Sequence, residues 1–166
     1  MREHRIPVRR EASEAVIVFA VSGRRFAIAA AAVGEIRGAE GLRKFDLDTR
    51  ALRITRPDFM LERGGKSYFV IDAGHHFHLA PAVPGRVLIL RPGSAALLVE
   101  STDRIMEISV LHALPRAFCR DERNWYRGLA VLDGEVLPVV NPAAFLSRAE
   151  QAVLNTQLER ASGAAV

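Results

Sequence analysis

The sequence predicts a mainly β chain made of two tandem small β subdomains and closed by an α-helix. Three observations carry that prediction. Four pairs of β-rich apolar runs surround turn dipeptides, at Ser22-Gly23, Gly64-Gly65, Pro92-Gly93 and Asp133-Gly134. The first and third turns lie 70 residues apart and the second and fourth 69, so the chain writes one pattern twice. After the last hairpin, Asn141-Pro142 opens a stretch with apolar residues at helical spacing.

Taken in order, "AVIVFAVSGRRFAIA" (15–29) reads as a hairpin, because two short runs rich in β-branched and aromatic residues flank a turn that tolerates positive φ. The alanines that follow have length for one helical turn, and "VGEIRG" is a strand bounded by Gly38. From Ala39 to Arg56 the pattern weakens into a connection with at most one short strand, near "ALRIT". "DFMLERGGKSYFVID" (58–72) is a second hairpin. The second half repeats this: a hairpin over 85–101, a strand "DRIMEISV", a connection "LHALPRAFCRDERN", then the hairpin "WYRGLAVLDGEVLPVVN" around the tight-turn pair Asp133-Gly134. Asn141 is a good N-cap and Pro142 a good first helical residue. The spacing of Phe145, Leu146, Ala149, Ala152 and Val153 predicts an amphipathic helix running to about Glu159.

The repeat keeps register residue by residue. Phe19 matches Ile89, Ile28 matches Leu98, Ile36 matches Met106, Met60 matches Leu129 and Asp72 matches Asn141, so apolar meets apolar and cap meets cap. This divides the chain into a basic tail at 1–13, a first subdomain over 14–80, a second over 81–148, and a helix extension with a tail over 149–166.

Composition narrows the function classes. With 49% hydrophobic and 25% charged residues the chain is of globular type, and no apolar run reaches the roughly 18 residues of a spanning helix, so no direct membrane insertion is expected. A charged N-terminus without an apolar core and a single cysteine, Cys119, point to the cytoplasm. The formal charge of +4 is concentrated at Arg2, Arg5, Arg9 and Arg10, but no aromatic side chain is interleaved there to stack bases, so no nucleic acid is expected as a partner.

Motifs for chemistry are incomplete. "GGKS" (64–67) ends like a phosphate-binding loop, yet Met60 stands where the earlier glycine belongs, and a strand follows where a helix is needed. His75, His76 and His78 fall within four residues, but on a helix His76 points about 100° from the other two. His112 and Cys119 lie in the other half without paired spacing, so the histidines are expected to be structural and no metal or other cofactor is expected. No nucleophile elbow is present, and capping or turn roles suit Asp72 and Asp103, so the chain does not read as an enzyme.

"VIVFAVSGRRFAIAAAAVGEIRG", "RVLILRPGSAALLVESTDRIMEI" and above all "WYRGLAVLDGEVLPVVN" resemble the CheW-like domain, the chemotaxis adaptor that couples receptors to the histidine kinase CheA. The resemblance covers residues 14–148. It implies two five-stranded Src-homology-3-like β-barrels packed together, with a terminal helix. It also implies a non-enzymatic scaffold whose partners are the regulatory domain of a CheA-type kinase and the cytoplasmic tip of a methyl-accepting receptor. One barrel edge would pair with the kinase domain, and a groove between the subdomains would take the receptor hairpin. Val33, Ile36, Ile105 and Met106, on the strand after each first hairpin, are the expected specificity contacts, although an alternating strand buries half of such residues anyway. The family usually carries Asn-Leu-Arg-Gly before Val-Pro-Val-Ile-Asp. Here "ERGGKSYFVID" keeps Asp72 but shifts the arginine to Arg63, puts Gly64 in its place, and has Phe69 for the proline. Arg63 is then either a rim contact or an exposed loop charge. An adaptor of a non-motility pathway with altered partners, or a histidine-rich metal-responsive protein, are the alternatives.

Overall fold

Three of the hairpins turn on two residues that both hold positive φ: Ser22 and Gly23 at 49° and 72°, Gly64 and Gly65 at 59° and 74°, Asp133 and Gly134 at 50° and 76°. This conformation matches the right-handed twist of the flanking strands, which is why the glycine-containing dipeptides stand there. The computed structural model describes residues 13–48, 57–118 and 120–163. Its strands are β1 (Glu14–Val21), β2 (Arg24–Ala29), β3 (Val33–Gly38), β4 (Arg43–Lys44), β5 (Phe59–Arg63), β6 (Lys66–Asp72), β7 (Arg86–Leu90), β8 (Ala95–Val99), β9 (Ser101–Ile108), β10 (Tyr126–Leu132) and β11 (Glu135–Val140). Three helices, α1 (Ala73–His76), α2 (Arg120–Trp125) and α3 (Arg148–Gly163), complete the set with two 3₁₀ turns, Ala30–Ala32 and Pro142–Ala144.

The strands form two sheets, ordered β10-β11-β2-β1-β9 and β3-β7-β8-β6-β5-β4. Under the 69–70 residue offset the first order becomes the second, so the repeat survives in the topology. The sheets do not divide at residues 80 and 81, however, as a simple tandem reading expects. Each half sends its first hairpin to the other half's sheet. β2 pairs in parallel with β11 (Val139 opposite Ala27), and β8 pairs in parallel with β6 (Ile71 opposite Leu97).

Backbone hydrogen bonds at the junctions account for the exchange. The Arg91 N–H and Nε donate to the carbonyls of Ala32 and Ala31, which fastens the end of β7 to the alanine turn and lets β3 run on along β7. At the corresponding place the Glu100 N–H donates to the Ala20 carbonyl, and β9 runs on along β1. The first sheet has the expected five strands and the second gains the short β4. Among the described residues neither sheet is closed by a ladder between its two outer strands.

β1 is buried on both faces, which is why it reads as a nearly continuous apolar run. Ile17, Phe19 and Val21 face the larger core, shared with the second sheet, and Val16 and Val18 face a smaller one with Ala130, Leu137 and Val139. Two sequence expectations need correction. The last helix does not run on from Pro142. The Asn141 carboxamide accepts from the Ala143 N–H and caps only one 3₁₀ turn, Phe145 and Leu146 are then buried, and α3 starts afresh. Its start is a capping box: the Ser147 hydroxyl accepts from the Glu150 N–H at 3.2 Å while the Glu150 carboxylate accepts from the Ser147 N–H at 2.8 Å. The connection after β9 contains α2, which its weak periodicity did not announce. The hairpin expected around Pro92-Gly93 is present, and its turn takes the four residues 91–94. The strand expected near "ALRIT" lies outside the described residues.

Candidate docking surface

β3 and β9, the strands expected to carry partner contacts, are the outer strands of the two sheets. Among the described residues each pairs on one side only, β3 with β7 and β9 with β1. An outer strand leaves backbone donors and acceptors available to another chain. Ile36 on β3 is 41% exposed and Ile105 on β9 is 66% exposed, on corresponding strands of the repeat. Val33 and Met106 do not join them at the surface. Strand alternation turns Val33, three positions before Ile36, into the larger core, and Met106, next to Ile105, is half-buried against the smaller one. These two hold the strands down, and the exposed contacts reduce to Ile36 and Ile105.

Arg63 stands beside this surface. Its Nε lies 3.3 Å from both carboxylate oxygens of Glu35 on β3, so an exposed ion pair links the tip of the β5–β6 hairpin to the outer strand of its sheet. The other sheet has the same link with the signs exchanged, because Arg104 on β9 donates to Asp133 in the β10–β11 turn. Sequence reasoning named Arg63 but missed Glu35, Arg104 and Asp133. The repeat offset applied to charged positions was the signal available. A further cluster lies across the first sheet, where the Arg25 guanidinium holds Asp103 at 2.6 Å and Glu135 at 2.5 Å. Asp103 is thus an ion-pair partner rather than a cap. Asp72 is a cap: its Oδ1 accepts from the backbone of Gly74, His75 and Ala82.

The three histidines diverge. His75 Nδ1 meets the Asp58 carboxylate at 2.9 Å. His78, at φ 56°, stands edge-on to Trp125 with ring centroids 5.1 Å apart. His76 enters an aromatic cage, 4.7 Å from the Phe145 ring and 5.6 Å from that of Trp125. Its Nε2 is buried without a hydrogen-bond partner among the described residues. Burial, reinforced by the neighbouring His78 and His75, pushes its pKa down to about 4, so the ring is neutral at physiological pH. Among the described residues no group of three or more metal donors converges. Lys66 of "GGKS" sits in the β5–β6 turn region, donating to the Gly93 carbonyl at 2.6 Å with its ammonium over the Tyr68 ring.

No helix among the described residues is long and apolar enough to cross a membrane. The surface as built offers edge backbone, isolated apolar side chains and exposed ion pairs, which is chemistry for recognising proteins. A family model described as the CheW-like domain matches residues 15–150. Among solved structures the chain is similar to the crystal structure of the scaffolding protein TtCheW from Thermoanaerobacter tengcongensis, with a TM-score of 0.70 and 16% sequence identity. That match covers 92% of this chain and 98% of the other, and at such identity it is a likeness of fold. No curated protein sequence matches the chain.

Proposed function

The chain belongs to the CheW-like domain family, and from that premise we propose that it is a cytoplasmic coupling adaptor that joins a methyl-accepting receptor to a CheA-type histidine kinase. The observation that carries this reading is the pair of outer strands, β3 and β9, each with a free edge and one exposed isoleucine. An adaptor of this kind makes and breaks no covalent bonds. It holds two proteins at a fixed separation, and two equivalent edges on one rigid body suit that task.

In this reading β3 adds its free edge to the barrel-like regulatory domain of the kinase, where backbone hydrogen bonds supply affinity and Ile36 supplies specificity. Ile105 and the apolar ground between the sheets receive the tip of the receptor hairpin. Arg63 acts at the rim. Its pairing with Glu35 keeps the β5–β6 hairpin against β3, so the arginine shapes the edge even though Gly64 occupies the place where the family carries it. The departure at 63–65 supports a second reading, in which the same adaptor serves a non-motility pathway with altered partners.

A pull-down with the kinase regulatory domain tests the assignment. Ile36→Asp is expected to fold normally and lose the kinase, because the side chain is already solvated in the free protein. Val33→Asp is expected to fail differently: an unpaired carboxylate in the core costs several kcal/mol and lowers the melting temperature. Retained kinase binding by folded Ile36→Asp would remove β3 as the docking edge.

A further inference from the structure

Two identical strands can pair antiparallel across a two-fold axis only where one residue stands opposite itself. The reason is that directly opposed side chains lie on the same face of the sheet. Charged residues can then meet only if they are an even number of positions apart. On β3, Glu35 and Arg37 are two apart, with Ile36 between them. With Ile36 on the axis, Ile36 faces Ile36 of a second copy, and Glu35 faces Arg37 on both sides of it. Both charge pairs are then of opposite sign, which is the kind of cross-strand pair that stabilises a ladder. Moving the axis to Glu35 or to Arg37 sets like charges together instead.

β9 has no equivalent register. Arg104 is one position from Asp103 and three from Glu107, so it shares a face with neither. With Ile105 on the axis, Asp103 faces Glu107, and two carboxylates repel. Of the two outer strands that expose an isoleucine, only β3 is complementary to itself.

The groups on β3 are available for the pairing. Among the described residues no strand covers this edge, and Ile36 is exposed. Arg37 pairs with no acidic side chain among the described residues: its Nη2 reaches only the Glu40 carbonyl, at 3.4 Å, and its Nε is buried without a hydrogen-bond partner. Glu35 receives the Arg63 Nε at 3.3 Å, which leaves most of the roughly four acceptor sites of a carboxylate open. At the end of the strand the Glu40 carboxylate fills the space where a side chain at Gly38 would stand, and Gly34, which faces Gly38, has no side chain to meet it.

We propose that the free protein associates with a second copy of itself through β3, in the register centred on Ile36. The irregularity between Val33 and Glu35 keeps the regular ladder short, so the pair is a weak, concentration-dependent dimer rather than a permanent one. Such a dimer covers the edge assigned above to the kinase, and the two uses of β3 exclude one another. That competition rests on the kinase reading, whereas the pairing itself does not.

Sedimentation equilibrium of the full chain, with no kinase present, tests the pairing. The wild type should move from monomer towards dimer mass as the concentration rises to about 1 mM. Glu35→Arg sets two arginines opposite each other and Arg37→Glu two glutamates, so each should weaken the dimer at least about tenfold. Mixed one to one, the two variants should dimerise again, as one of each, because both pairs are once more of opposite sign. Both substitutions in one chain should dimerise like the wild type, which keeps the test intact if either single variant fails to fold. The proposal is overturned by a wild type that stays monomeric up to about 1 mM. It is equally overturned by a dimer indifferent to the single substitutions, which belongs to another face, or by folded variants that do not recover in the mixture. A failed kinase pull-down leaves all of these results unchanged, so the two assignments fail separately.

Discussion

Acidification should destabilise this protein through His76 before most of its carboxylates titrate. The ring is packed among Phe77, Trp125 and Phe145, where a charge is poorly solvated, and His75 and His78 on the same short segment add positive potential when protonated. Its pKa falls to about 4 in the folded protein, from 6.5 for the free side chain. The unfolded chain therefore binds the proton more tightly. Stability attributable to His76 is fully present above about pH 6.5 and is lost as the pH falls toward 4. Each tenfold difference in proton affinity is worth about 1.4 kcal/mol, so the loss reaches about 2 kcal/mol by pH 5 and about 3 kcal/mol by pH 4. Those are upper values, since some water reaches the ring edge. The assay is urea unfolding at pH 7, 6 and 5 for the wild type and for His76→Phe, a change suggested by Phe145 at the corresponding place in the repeat. Carboxylates contribute equally to both proteins, so the difference between the two pH profiles isolates the histidine. The wild type should lose about 2 kcal/mol more than the variant between pH 7 and pH 5. At pH 7 the variant should be at least as stable, because it removes the unpaired buried Nε2. Parallel profiles would refute the argument.

Gln151→Leu should cost about 2 kcal/mol in denaturant unfolding, because it leaves the buried Ser94 N–H and the Leu146 carbonyl without their partner. Ser147→Ala removes the N-cap of α3 and should cost about 1 kcal/mol, with a matching loss of helical circular dichroism, while Ser147→Asp should be close to neutral. Titration with zinc should leave the melting temperature unchanged, since His75, His76 and His78 face three different neighbours; a rise abolished by His75→Ala with His78→Ala would reverse that reading.

The parts of the fold that depend on neighbours within a few residues were legible. Ser22-Gly23, Gly64-Gly65 and Asp133-Gly134 announce two-residue turns because few residues tolerate positive φ. Asp72 and Asn141 announce caps, since a short acceptor before a helical turn has few other roles. The capping box at Ser147 and Glu150 was equally local and was overlooked, because the apolar spacing from Phe145 onward suggested one unbroken helix. Among the surface residues, Ile36 and Ile105 were found from strand pattern, whereas Val33 and Met106 share that pattern and turn inward. Alternation separates the cases, since Val33 is three positions from Ile36 and Met106 is next to Ile105, but which face is buried is set by the sheet packing. The ion pairs from Glu35 to Arg63 and from Arg104 to Asp133 span 28 and 29 residues, beyond what local pattern reaches.

The sequence by itself determined that there are two copies of one β unit, where each turns, and that the chain resembles the CheW-like domain. Periodicity is a property of single strands, and it is the same whichever sheet a strand joins. Only the tertiary structure decided that each half lends its first hairpin to the other, because the choice is made by hydrogen bonds between Arg91 and the alanine turn and between Glu100 and Ala20. It also decided which face is covered. α3 follows the second copy alone, since His78, at positive φ, stands where Ser147 starts the helix.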